Sequence, residues 1–278
     1  MNNSATSKNL VILAAGQGSR LSPLTINKPK ALVRFQGKPI IESILEYAEH
    51  FPEIKNIIIV TGHKQQAIAS YIKTLPPKGV NITLVHNKEF SCTNMVYSFF
   101  KSSEFWTKGA DLIISYSDII YDLPTFKKLI SQDTKNAISI VADKEWLPLW
   151  KQRFADPLSD AESFATSPHT GDITSIGQRI ESNSIKNIEA QFIGLFRFDS
   201  IVIDKLKAFY HHIDSINDEG TSAQTIDFTC FFQKIIHNHI SPISPVYIKN
   251  RFIEIDSTSD LSLYNKLYKQ NLISWYQP

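Results

Sequence analysis

Leu10-Val11-Ile12-Leu13-Ala14-Ala15-Gly16-Gln17-Gly18-Ser19-Arg20-Leu21 is a short apolar run that empties into a glycine-bearing turn. The run has the length and branching of a buried strand, and the turn brings backbone N–H groups to the surface without side chains in the way. The same punctuation recurs along the chain. Apolar, β-branched runs at 56–61, 81–85, 111–116 and 137–142 alternate with stretches at 40–49, 65–73, 94–105 and 123–130 whose apolar residues fall at helical spacing. Parallel strands joined by crossover helices produce this alternation. The fold expected is therefore α/β, a doubly wound, mainly parallel sheet with its ligand crevice beyond the carboxyl ends of the strands.

The alternation breaks between residues 144 and 184, where tryptophans and charges are mixed with Pro, Ser, Thr and Gly, and this stretch reads as a substrate-facing insertion. Regular patterning returns with a strand at 191–198, helices near 201–211 and 226–237, a strand pair around 246–255 and a closing helix from about 259. One α/β domain carrying an insertion is expected rather than two domains.

Composition bounds the function. The chain has 278 residues, 42% hydrophobic and 20% charged, enough for one sizeable core, and its formal charge of +2 offers no broad electrostatic footprint for nucleic acid or an anionic membrane. Residues 1–8 are polar and no run approaches the ~20 apolar residues of a membrane span, so a cytoplasmic protein is expected. Cys92 and Cys230 are the only cysteines, outside any CxxC or Cys/His ligand spacing, and read as plain buried thiols. Eight scattered histidines form no triad with a serine.

Glycines 16 and 18 let backbone N–H groups approach phosphate oxygens, and Arg20 adds a charged fork for the same anion. The third glycine of a dinucleotide fingerprint is missing, as is the GK[ST] ending of a P-loop. Further on, Lys28-Pro29-Lys30-Ala31-Leu32-Val33 presents Lys30 from a backbone stiffened by proline. A glycine turn, an arginine and a proline-held lysine within one short segment point to a bound polyphosphate. Asp118 follows the apolar run 111–116 at the crevice edge, and Asp256 and Asp260 follow another strand near the C-terminus, so carboxylates for a magnesium ion are available. A strand-end aspartate that merely caps the next turn is the plain alternative for Asp118.

The arrangement LAAGQGSRLSPLTxxKPKALV resembles the signature of the nucleotide-diphospho-sugar transferase superfamily, in particular its pyrophosphorylases and cytidylyltransferases. That resemblance implies a Rossmann-like fold of the glycosyltransferase-A type. By position it implies a nucleotide-holding loop at Leu13, Ala14, Ala15, Gly16, Gln17 and Gly18, Arg20 on the triphosphate, and Lys30 on the reacting phosphates. It also implies Mg2+ on Asp118 and Asp256, selecting Asp256 from the DxxxDL pattern and leaving Asp260 to the last helix. Asn94-Met95-Val96-Tyr97-Ser98 and the Ser117 of "YSD" are similar to the choline-phosphate cytidylyltransferase branch, which adds Asn94 and Ser117 to the nucleotide site, although Asn94 also reads as an ordinary helix cap.

The order of residues through 150–162, 177–179 and 191–194 is similar to bacterial phosphocholine cytidylyltransferases, and the acceptor site is expected there. Arg153 and Arg179 are candidates for its phosphate, because guanidinium forks match phosphate oxygens. Trp146, Trp150, Asp156, Asp160 and Glu162 are candidates for a cage around a cationic head group, with Gly194 beside them, although tryptophans are more often core than cage. The expected partners are CTP and a small phosphorylated acceptor, with no nucleic acid and no membrane, and a homo-oligomer is left open. The chemistry implied is attack of an acceptor phosphate oxygen on the α-phosphorus of CTP. The alternatives are a hexose-1-phosphate nucleotidylyltransferase using UTP, TTP or CTP, and a catalytically silent nucleotide-binding regulatory subunit.

Overall fold

In the computed structural model, which describes residues 6–76, 79–131, 135–180, 185, 188–215 and 222–278, the expected alternation is present. It runs β1 (Lys8–Ala14), a short hairpin β2 (Arg34–Phe35) and β3 (Lys38–Pro39), α1 (Ile40–Glu49), β4 (Ile54–Thr61), α2 (Gln65–Thr74), β5 (Asn81–His86), α3 (Met95–Lys101), β6 (Asp111–Tyr116), β7 (Ile119–Tyr121), α4 (Leu123–Ser131) and β8 (Ile138–Asp143). The expected helix 94–105 is shorter. α3 ends at Lys101 with Ser102 as its C-cap, and residues 103–105 tighten into a 3-10 turn.

A seven-stranded sheet forms the centre, in the order β12-β8-β11-β6-β1-β4-β5, where β11 is Gln191–Phe198 and β12 is Ile243–Ile248. β6, β1, β4 and β5 are mutually parallel, as are β12 and β8, while β11 runs antiparallel to both β6 and β8. Every residue of β1 and of β8 is buried, which is why their apolar stretches, Leu10–Ala14 and Ile140–Ala142, run without polar alternation. The sheet is mostly parallel and flanked by helices, with α6 (Ser200–His212) and α7 (Phe228–His237) following β11.

Two expectations need correction. Residues 144–184 are more regular than their composition suggests, with α5 (Trp146–Arg153) and a β9 (Phe164–Thr166) and β10 (Ile173–Ile176) hairpin; residues 181–184 lie outside those described. The strands around 246–255 do not pair with each other. β12 joins the main sheet beside β8, whereas β13 (Phe252–Glu254) pairs antiparallel with β7, bringing Glu254 opposite Ile119. α8 (Thr258–Lys269) then closes the chain behind a Ser257–Asp260 capping box.

A second, smaller core sits beneath the glycine turn. Leu21, Val33, Phe35 and Ile40 pack there with Ile253, Ile255 and Tyr264, so the N-terminal signature and the C-terminal helix share one apolar floor. Among the described residues, no helix is long and apolar enough to cross a membrane.

Candidate active site

The β7–β13 ladder is the device that assembles the site. The Ile255 amide donates to the Asp118 carbonyl at 2.9 Å, which sets Asp118 and Asp256 side by side although 138 residues separate them. Between their carboxylates lies Lys30, whose Nζ is 2.8 Å from Asp118 Oδ2 and 2.6 Å from Asp256 Oδ1. The lysine starts a 3-10 turn directly after Pro29 and is only 9% exposed. Burial pulls its pKa down, but Asp118 and Asp256 outweigh burial, and the net shift is upward. The ammonium is therefore held charged.

Gly18 explains how Lys30 reaches this place. It sits at φ 63°, and a Cβ there would lie 2.9 Å from Lys30 Cβ and 3.2 Å from Thr25 Cγ2. Any side chain would push the lysine stem aside, so glycine is required both for the turn and for the lysine behind it. Arg20 is 68% exposed at the mouth, with its guanidinium on Asp256 Oδ2. Asp118 Oδ1 is buried and has no hydrogen-bond partner among the described residues.

Beside these groups opens a cleft of about 630 Å3, counted out to solvent. Leu13, Ala14, Ala15 and Gly16 form one wall, Asn94, Met95 and Ser98 of the α3 entry another, and Lys30, Ser117 and Asp118 the end. Gln17 is exposed next to it. Asn94 lines the cleft, yet its side chain accepts the Met95 amide and donates to the Thr225 carbonyl, so the capping role accounts for its polar atoms. Phe90 and Gly62 were not anticipated. A Cβ on Gly62 would lie 2.5 Å from the Ala15 carbonyl and 2.6 Å from Phe90 Cβ, so Gly62 lets the Phe90 loop close over the glycine turn.

On the acceptor side the structure revises several assignments. Trp146 and Trp150 are 3% and 4% exposed and pack edge to face in the main core, so they do not form an open cage. Trp150 still touches the region through Nε1, which donates to the exposed Asp160 at 3.1 Å. Asp156 caps a 3-10 turn. Arg153 is turned inward, its side chain 2% exposed and paired with Glu254 and Asp260, and so is not open to an acceptor phosphate. Gly194, at φ 83°, is needed because a Cβ would lie 2.5 Å from the ring of Tyr116, itself a residue of the cleft wall. Arg179 is exposed just beyond β10, on a segment hydrogen-bonded through Gln178 to Ser163. Cys92 is exposed and Cys230 half-buried, contrary to the expectation that both are buried.

Glu162 is the expected acceptor residue that the structure leaves facing inward. Burial, then Asp227, push its carboxyl up to about 7, with Thr229, whose hydroxyl donates to Asp227 Oδ1 at 3.2 Å, working the other way. The Tyr116 hydroxyl is raised well above its usual value by burial and by Asp227, Asp118, Glu162 and Glu254. Four carboxylates thus act electrostatically on one tyrosine that lines the same cleft as Lys30. Asp227 escaped the sequence reading because it caps α7, accepting the Cys230 amide at 2.8 Å, and caps are common.

The family described as nucleotidyl transferase matches residues 9–145. A CTP:phosphoglutamine cytidylyltransferase of Campylobacter jejuni is 36% identical over 260 residues, covering 92% of this chain and 98% of that one. A choline-phosphate cytidylyltransferase of Streptococcus pneumoniae is 27% identical over 81% of this chain and 95% of its own. Among solved structures, the inositol-1-phosphate CTP transferase from T. maritima superposes with a TM-score of 0.70 at 20% identity, covering 95% of this chain and 96% of that one, and so shares the fold. This chain belongs to the nucleotidyl transferase family.

Proposed function

We propose that this protein transfers the CMP unit of CTP to a phosphate or phosphonate oxygen of a small acceptor that also carries a cationic nitrogen, releasing pyrophosphate. The observation that carries the reading is the convergence of Lys30, Asp118 and Asp256 at one end of the cleft. Phosphoglutamine and choline phosphate, the acceptors named for the relatives, both carry a cationic nitrogen as well as a phosphoryl group. Asp227 and Glu162 act on Tyr116 and Asp160 on Glu162, so acidic groups are at hand for that nitrogen, and Arg179 is the remaining candidate for the acceptor phosphate.

The donor set suits magnesium. Among the described residues no group of three or more His, Cys, Asp or Glu could hold a metal, but two hard carboxylates are present and Asp118 Oδ1 lacks a partner. A hard cation on two carboxylates takes its other ligands from phosphate and water. When bound, Mg2+ would neutralise phosphate charge and activate the α-phosphorus toward attack. The chain's own groups do the remaining work. The glycine turn holds the nucleotide, Lys30 moves from carboxylate to phosphate to meet the developing charge, and the exposed Arg20 follows the leaving pyrophosphate.

An acceptor oxygen forms the new bond to the α-phosphorus as the bond from that phosphorus to the β-phosphate oxygen breaks. A phosphomonoester, with a second pKa of ~6, is mostly dianionic at neutral pH, so no general base is needed. The cytoplasm is the proposed setting. A pyrophosphate-release screen of CTP, UTP and TTP against phosphoglutamine, phosphocholine, aminoethylphosphonate, glycerol phosphate and hexose phosphates tests the reading. CTP with an amino-bearing acceptor is expected to dominate. Preference for a hexose phosphate would move the protein to the sugar pyrophosphorylases, and no release with any pair would make it a regulatory subunit.

A further inference from the structure

We infer that Arg153 is a positioning residue for Asp256, acting from the inserted segment to hold the peptide that carries the aspartate in place beside Asp118. The inference rests on Asp256 being one of the two metal-holding carboxylates proposed above.

Arg153 ends α5, and its guanidinium grips both flanks of the Asp256 segment. Nη1 donates to Glu254 Oε2 at 2.9 Å, and Nε donates to Asp260 Oδ1 at 3.0 Å. Glu254 lies two residues before Asp256 and Asp260 four residues after it. The second oxygen of Asp260 accepts the backbone amides of Asp256 at 3.1 Å and Ser257 at 2.9 Å. A continuous path therefore runs from the guanidinium through the Asp260 carboxylate to the peptide that carries Asp256.

The guanidinium is itself held from the α5 side, lying over the Trp150 ring at 5.2 Å and the Phe154 ring at 4.9 Å. Its fork reaches two carboxylates at once, which a lysine, as a point charge, does not reproduce. Groups that orient a metal ligand control affinity for the metal without touching it. The geometry also joins the two halves of the site, because Trp150, one turn before Arg153, donates to Asp160 on the acceptor side.

The test uses the full-length protein with Arg153→Lys, Asp260→Asn and the pair. Mn2+ binding in the presence of CTP alone is followed by electron paramagnetic resonance, and steady-state KM values are measured for Mg2+ and for acceptor. Asp260→Asn keeps the volume of the side chain, so the set stays informative if Arg153→Lys folds poorly. Each single variant is expected to weaken Mn2+ binding by ~10-fold or more. The pair is expected to be little worse than either single, because both interrupt one path. The acceptor KM is expected to stay within about twofold of wild type, since uniform binding of the acceptor is untouched. Wild-type Mn2+ affinity in folded variants, or a raised acceptor KM with an unchanged Mg2+ requirement, would overturn the inference. The two readings fail separately. A wild-type protein that binds Mn2+ with CTP but turns over no acceptor defeats the proposed activity alone, whereas an active wild type with unaffected variants defeats the clamp alone.

Discussion

Replacing Lys30 with methionine keeps the stem and removes the positive charge shared by Asp118 and Asp256. In the structure that charge makes hydrogen bonds of 2.8 and 2.6 Å to the two carboxylates. Breaking a buried ion pair by deleting one partner costs ~3–5 kcal/mol. The low end applies here, because the Asp118 side chain is one-fifth exposed and Asp256 keeps Arg20. A loss of about 3 kcal/mol at ~2–4 °C per kcal/mol lowers the melting temperature by ~6–12 °C. The two carboxylates then face each other with one cation fewer, so they become a better site for a divalent ion than in the wild type. Magnesium at a hundred times its dissociation constant restores ~2.7 kcal/mol. Melting curves with and without MgCl2, in the absence of nucleotide, should show most of the lost stability returning in Lys30→Met and little change in the wild type. Turnover should stay at least ~100-fold down even at saturating magnesium, because the stabiliser of the developing charge is gone. A variant whose melting ignores magnesium, or one that turns over within tenfold of wild type, would refute the convergence of the three side chains on one metal-bound phosphate.

Gly18→Ala should slow turnover while the fold survives, since the new methyl meets Lys30 Cβ at 2.9 Å and the left-handed backbone costs an L-residue ~1–2 kcal/mol. A crystal structure or nucleotide titration that finds the Lys30 side chain and CTP affinity unmoved would count against the coupling of turn and lysine. Glu162→Gln addresses the acceptor pocket and the pH dependence together. The Glu162 carboxyl is raised from 4.5 to about 7 by burial and then by Asp227. The folded protein therefore holds more protons than the unfolded chain across that window, and its stability falls as pH rises through it. Urea midpoints from pH 4.5 to 8 should slope down less in the glutamine variant than in wild type, and the acceptor KM should rise. An unchanged slope would place Glu162 in a solvated setting.

Some of this architecture was readable residue by residue. The strand and helix alternation as far as residue 143 shows in local periodicity, because a strand buried on both faces can only be an unbroken apolar run and an amphipathic helix must repeat near 3.6. The glycine turn, Pro29-Lys30 and the strand-end positions of Asp118 and Asp256 were legible for the same reason, since each is written within a few neighbouring residues. Partnerships across the chain were not. Whether an arginine faces solvent or two buried carboxylates about a hundred positions away depends on which elements pack together, and Arg153 carries no local mark of Glu254 or Asp260. Trp150 leaves both core and cage open in the sequence, with core the commoner fate of a tryptophan, until its burial is known. The meeting of Asp118 with Asp256 was decided by β13 pairing with β7 instead of with its neighbour β12. Local sequence determines the period and the turn; burial and long-range pairing, which set every charge in this site, belong to the tertiary structure alone.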